Sequence, residues 1–203
     1  WEKPIRVRRA NGGFLSEKGI NIDMTPVKSG ERYFYVWSHR KNIGTPLDTG
    51  SMLMIAEFDP VHPERLISEP KCLSRPLYGF ENTERTINNE GPYAFYYHNK
   101  IYLAYSGGDA RGYLYAIGML TANDGDDLCD LSVWEKAKTP IASFATIPGE
   151  YGPGHNSFFW DRDQNLWIAY HAVTSFEEKI VSSGMRRVYF EQDKTPRFDV
   201  IVE

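Results

Sequence analysis

Short apolar runs with period-two character, rich in aromatic and β-branched residues and each preceded by a polar turn, recur along the chain and predict strands almost throughout. Arg32 to Ser38 (RYFYVWS), Ile101 to Ser106 (IYLAYS) and Leu166 to His171 (LWIAYH) are three versions of one strand. The turns before them are Lys28-Ser29-Gly30, His98-Asn99-Lys100 and Asp161 to Asn165. Their aromatic anchors Trp37, Tyr105 and Tyr170 lie 68 and then 65 positions apart. Stretches of helical period are nearly absent, and the acidic segment Asn123 to Asp130 reads as a loop or at most one helical turn.

Upstream of each turn is a strand that opens on a polar group: Asp23 in NIDMTPV, Glu90 in NEGPYAF and His155 in GHNSFFW. Spacings of 67 and 65 put the three in equivalent places. Third strands are expected at Ser51 to Phe58, Tyr113 to Thr121 and Met185 to Glu191, and fourth strands at Ile67 to Ser74, Val133 to Ser143 and Arg197 to Val202. Four strands at a period near 66 make one blade of an all-β propeller with long loops. Trp1-Glu2-Lys3 matches Trp134-Glu135-Lys136 two periods later, which makes the start of the chain the outer strand of a preceding blade. Three blades and one strand do not close a ring, and an open arc would expose sheet edges, so the 203 residues read as part of a larger propeller domain whose earlier blades precede Trp1.

Composition narrows the function classes. The chain is 41% hydrophobic and 25% charged, enough for one sizeable core. A formal net charge of -4 with scattered Lys and Arg leaves no electrostatic footprint for nucleic acid or an anionic membrane. No apolar run is long enough to span a bilayer, and no signal peptide is visible. Cys72 and Cys129 lack metal-type spacing and read as buried thiols.

In a blade, the start of the innermost strand and the end of the second lie at the same face because the two run antiparallel. Asp23, Glu90 and His155 are therefore expected around one axis, with Trp37-Ser38, Tyr105-Ser106 and Tyr170-His171 as a second ring. Two carboxylates, a histidine and aromatic faces in a polar funnel suit a sugar, Trp37 and Ser106 being the candidate substrate contacts, while aromatic strand positions such as Trp37 are more often core than subsite. Glycoside hydrolysis needs a protonated acid and a second carboxylate. Glu90 suits the acid role, and Asp23 can raise its pKa by proximity. Taken singly, Asp23 reads as a strand-start residue and His155 as a structural histidine; their shared register is what lifts them.

At these residues the chain resembles glycoside hydrolase family 43, in particular its exo-acting α-L-arabinofuranosidase and β-xylosidase branch. NIDMT, NEGPYAF with IYLAYS, and YGPGHNSFFWDRDQNLWIAYHA carry the resemblance, together with ISEPKCLSRP and IGMLTANDGDDLCDLSVWEKAKTPI. The resemblance implies a five-bladed propeller hydrolysing arabinose- or xylose-containing saccharides with inversion. Glu90 then matches the general acid, Asp23 the aspartate that tunes and orients it, and His155 a histidine that helps hold calcium or a similar ion near the axis. The family's general base is an aspartate on its first blade, and no residue here occupies that place. Polymeric plant sugars lie outside the cell, which favours a secreted or periplasmic home. Two competitors stand beside this reading. One is a non-catalytic carbohydrate-binding propeller; the other is the retaining sucrose- and fructan-cleaving class, in which Cys typically follows the acid where Gly91 stands here.

Overall fold

The computed structural model describes residues 3–15, 19–175, 177 and 180–200. The expectation for an outer strand at Trp1-Glu2 lies outside the described residues. Three sheets of antiparallel strands follow one another along the chain. The first contains β1 (Ile20–Ser29), β2 (Arg32–Arg40), β3 (Met52–Glu57) and β4 (Lys71–Ser74), paired in that order. The second repeats it with β5 (Asn89–Tyr97), β6 (Lys100–Gly107), β7 (Ala116–Asn123) and β8 (Glu135–Lys136). The third contains β9 (Tyr151–Trp160), β10 (Leu166–Val173) and β11 (Val181–Arg187), and a short ribbon of β12 (Tyr189–Phe190) with β13 (Pro196–Arg197) follows it.

The first hairpins form for a local reason. Gly30 and His98 each open a two-residue turn with positive φ, 55° and 52°, the kind of turn whose twist matches that of the flanking strands. The third turn is longer. It closes on the Asp161 carboxylate, which accepts the amides of Asp163 and Asn165 and the indole N–H of Trp167.

Outer strands are shorter than the apolar runs predicted. Pro70 has no N–H to give the ladder, so β4 begins only at Lys71, and β8 is limited to Glu135–Lys136 after the short 3-10 turn Leu131–Val133. Beyond β8, the amides of Ala137 and Ile141 still reach the carbonyls of Met119 and Ile117. In the third sheet the run expected at Met185 to Glu191 begins instead at Val181 and breaks at Val188, whose amide turns to the Leu166 carbonyl. The fourth strand expected at Arg197 to Val202 is reduced to Pro196–Arg197, paired with Tyr189–Phe190 and not with β11. Residues 201–203 lie outside the described part.

Two apolar cores lie between the sheets. Val27, Phe34, Val36, Leu53 and Ile55 of the first sheet face Ile101, Leu103, Leu120 and Leu128 of the second. Phe95, Tyr102, Ile117 and Met119 face Phe158, Ile168, Tyr170 and Phe198 across the next gap. A third cluster, with Trp37, Phe58 and Leu66, lines the outer face of the first sheet. Both thiols are free, Cys129 buried and Cys72 half-buried.

Polar groups inside these cores are paired with unusual economy. Glu81, fully buried, accepts the amides of Leu77 and Tyr78, the Asn89 carboxamide and the Tyr105 hydroxyl. It also forms an ion pair with Lys136, whose pKa burial lowers despite that partner. This hub ties the chain just before β5 to β6 and β8, and so holds the opening of the second sheet. Tyr170 repeats the motif in the third sheet, donating to Glu150, which pairs with Arg186.

Each of these tyrosines needs a glycine opposite. A Cβ on Gly118 would lie 2.4 Å from the Tyr105 ring, and one on Gly184 would lie 2.8 Å from that of Tyr170. Gly118→Ala is expected to destabilise the protein by about 1–3 kcal/mol through overpacking. A denaturant titration checks it, with the midpoint falling and the slope unchanged. Lys136→Met leaves the buried Glu81 charge uncompensated and should cost about 3–5 kcal/mol. Adding Glu81→Gln to that variant should recover part of the loss, and a double-mutant cycle without such recovery would contradict the charge argument.

Candidate active site

The three inner strands β1, β5 and β9 are bulged at the same place. Ile22 pairs with Ser38 and Thr25 with Val36, leaving two residues opposite Trp37. Glu90 pairs with Ser106 and Tyr93 with Ala104, leaving two opposite Tyr105. Gly154 pairs with His171 and Ser157 with Ala169, leaving two opposite Tyr170. The first residue of each bulge has left-handed backbone: Asp23 at φ 57°, Gly91 at 57° and His155 at 50°.

This corrects the register expected from spacing. Gly91, not Glu90, is the counterpart of Asp23 and His155, and Glu90 stands one residue earlier, level with Ile22 and Gly154. The repeat of the strands does not reveal a bulge, because an extra residue shifts the side-chain phase without altering the apolar pattern on either side. Asp23 and His155 hold a conformation that costs non-glycine residues of order 1–3 kcal/mol, a kind of strain that clusters at functional sites.

The bulge residues meet at the seams between sheets. A left-handed residue turns its N–H out of its own ladder, and the neighbouring sheet supplies the acceptor. The Gly91 amide donates to Asp23 Oδ2 at 3.1 Å and to Ser38 Oγ at 3.2 Å. The His155 amide donates to Ser106 Oγ at 2.8 Å. Ser38 in turn donates to Asp23 Oδ2 at 3.0 Å, and His155 Nε2 lies 3.7 Å from Asp23 Oδ1. The Asp23 carboxylate thus grips the peptide that follows Glu90. Gly91 is required twice, by its φ and because a Cβ there would lie 3.3 Å from the His155 ring.

Asp23, Gly91, His155 and Asn156 line a cavity of about 490 Å³ along the shared inner edge. Asn156 is 5% exposed and its carboxamide has no hydrogen-bond partner. Glu90 is half-buried and is not among the lining residues; its Oε1 accepts a 2.7 Å hydrogen bond from the Tyr115 hydroxyl. Tyr115 stacks on His171, with ring centroids 5.4 Å apart, and burial pushes the phenol well above its ordinary pKa, reinforced by the Glu90 charge. His171 is held below its ordinary pKa by burial and then by His155. On the first sheet the Arg40 guanidinium, gripped by Asp48 at 2.9 and 2.7 Å, also feels the Glu90 charge.

Two predicted substrate contacts are corrected. Trp37 is 2% exposed and packs with Ala56, Phe58 and Leu66, its indole N–H donating to Asn21. Like Tyr105 and Tyr170 it sits opposite the bulge; Trp37 packs on the outer face of the first sheet and the two tyrosines pack between sheets, so all three aromatics belong to the cores. Ser106 is fully buried, and its hydroxyl accepts the His155 amide beside the Tyr115 phenol. Tyr115 was invisible as a functional residue in the sequence, since it lies within the run expected as a third strand, Tyr113 to Thr121, where an aromatic reads as packing; the strand itself begins only at Ala116. Ser38 and Ser106 share a legible signal, a hydroxyl directly after the aromatic anchor.

Among the described residues, no group of three or more His, Cys, Asp or Glu forms a metal cluster. Nor is any helix among them long and apolar enough to cross a membrane.

The comparisons with known proteins agree on one family. The chain is 28% identical over 207 aligned positions to an extracellular exo-α-(1→5)-L-arabinofuranosidase of Streptomyces avermitilis, covering 94% of this chain and 41% of that protein. A protein of the same description from Streptomyces chartreusis is 31% identical over 173 positions, covering 85% and 49%. The chain therefore spans less than half the length of these relatives. Among solved structures, an α-L-arabinofuranosidase from Lactobacillus brevis superposes with a TM-score of 0.76 at 28% identity, covering 88% of this chain and 55% of that one. A thermostable family-43 glycoside hydrolase superposes at 0.72 with 23% identity, covering 92% and 60%, a likeness of fold. The family model described as glycosyl hydrolases family 43 matches residues 1–196, and with nearly the whole chain inside that match, this protein belongs to glycosyl hydrolases family 43.

Proposed function

We propose that this chain is part of a five-bladed propeller enzyme that releases L-arabinofuranose, or D-xylose, from plant cell-wall saccharides by inversion. Glu90 is the general acid, and Asp23 orients it and tunes its pKa. The observation that carries the reading is the grip of Asp23 Oδ2 on the Gly91 amide, which couples the two carboxylate-bearing residues across a seam through one backbone group. The exo-acting arabinofuranosidases to which the chain is similar support arabinose over xylose, and the extracellular description of two of them supports a secreted home.

Inversion requires a base to activate water on the opposite side of the sugar ring, roughly 6.5–9.5 Å from the acid. In this reading the base is an aspartate outside these 203 residues, in the portion of the relatives' length that the chain does not span. The two missing blades complete the ring there. A calcium-like cation, which prefers oxygen ligands, would be held by the Asp23 carboxylate and the unpartnered Asn156 carboxamide, which line the same cavity as His155. Its contribution is positive charge near the axis.

In the full-length protein, Glu90→Gln is expected to lower kcat on arabinofuranosides by about 10²–10⁴-fold, the usual contribution of a general acid. Equal rates for variant and parent would remove Glu90 from the reaction. A parent that binds arabino-oligosaccharide without cleaving it would favour the carbohydrate-binding alternative. Proton NMR of the first-formed product should show the anomer opposite to that of the substrate, and retention would contradict the proposed chemistry.

A further inference from the structure

The contact behind Glu90 carries one more assignment, which rests on Glu90 being the acid. Tyr115 is fully buried, and its ring is fixed on two sides. His171 stacks on it nearly parallel, at 10° between planes, and a Cβ on Gly154 would come 2.1 Å from its edge. The phenol oxygen therefore has one place to be, 2.7 Å from Glu90 Oε1.

Two hydrogen bonds fix the surroundings of the phenol. The His155 amide can only donate, so Ser106 Oγ accepts it and is left with its own proton to give. Ser106 stands beside the Tyr115 phenol, and the Tyr115 hydroxyl gives its proton to Glu90 Oε1. Burial keeps the phenol protonated across any working pH, so the donor does not fail.

We propose that Tyr115 is a positioning residue that distinguishes the two oxygens of Glu90, locking Oε1 as an acceptor so that Oε2 carries the proton for the departing sugar oxygen. Free rotation of the carboxyl would exchange the oxygens and spend part of the time with the proton turned away. With Oε1 pinned, the Oε2–H bond breaks toward the glycosidic oxygen as the C1–O bond cleaves and leaves its electrons on that oxygen. Water adds to C1 on the other face and gives its proton to the base carboxylate. Arg40 from β2 and His171 from β10 also feel the Glu90 charge and Asp23 from β1 that of the phenol, and among the described residues the Tyr115 hydroxyl is the side chain with a bond to the Glu90 carboxyl.

Tyr115→Phe in the full-length protein keeps the ring and its stack while removing the donated proton. On an α-1,5-linked arabino-oligosaccharide, whose leaving group needs protonation, kcat is expected to fall about ten- to hundredfold with KM within about twofold. On 4-nitrophenyl α-L-arabinofuranoside, whose leaving group departs readily as the anion, the fall should be less than about threefold. Equal losses on both substrates, or none on either, would overturn the assignment. Glu90→Gln measured alongside separates the two readings. If it is inactive while Tyr115→Phe behaves as the parent, only the role of Tyr115 fails; if it is as active as the parent, or the parent cleaves neither substrate, both fail. Should circular dichroism show Tyr115→Phe unfolded, Ser106→Ala removes the hydroxyl beside the phenol and loosens its placement. It should show the same substrate-dependent loss in smaller measure, and an equal loss on both substrates would again refute the proposal.

Discussion

A backbone N–H that has left its own ladder must find an acceptor, and this requirement organises the inner edge of the protein. Each inner strand carries a bulge whose first residue is left-handed, and the amides of Gly91 and His155 point out of their sheets as a result. A hydroxyl at the end of the preceding sheet's second strand receives each one: Ser38 for Gly91 and Ser106 for His155. An unpaired buried amide costs about 1–3 kcal/mol, so the two hydroxyls specify how adjacent sheets are set against each other. The apolar cores on either side supply the attraction between sheets, but apolar packing is not directional. The seam hydrogen bonds add the register.

The same bonds explain how a scaffold becomes a site. In the first seam, the Asp23 carboxylate joins Ser38 in accepting the Gly91 amide, so a charged group is held against the peptide that carries Glu90. In the second, Ser106 accepts the His155 amide beside Tyr115, whose hydroxyl donates to Glu90. Glu90 is therefore fixed at its backbone by one seam and at its side chain by the other. The Glu81 hub holds Asn89 immediately before it. A carboxyl restrained at three points loses little further freedom on reaching a reactive geometry, which is the physical content of preorganisation.

Much of the fold was legible in the sequence. The three copies of the second strand, the polar turns before them and the inner strands all lie where the alternation of apolar and polar residues placed them, because a strand buried against its neighbours reports its own period. The outer strands were overdrawn. Apolar runs such as Ile67 to Ser74 and Val133 to Ser143 pack on the core for part of their length without staying in the ladder, and an apolar pattern alone does not separate packing from pairing. The proximity of Asp23 to the Glu90 stretch and to His155 was likewise readable from spacing. The roles of Trp37 and Ser106 were not, since a ring or a hydroxyl near a strand end can face the axis or the gap between sheets, and the bulge decides which.

By itself, then, the sequence determined an all-β repeat of about 66 residues, the polar groups that open its inner strands and the family whose motifs they match, because these depend on local propensity and on residue identity. Tertiary structure alone decided that Gly91 and not Glu90 is the counterpart of Asp23 and His155, that the aromatic anchors are core, and that Tyr115 stands behind the candidate acid. Each of those depends on a one-residue bulge and on contacts between sheets. A bulge leaves no mark in a periodic pattern, and contacts made dozens of residues apart are set only when the sheets meet.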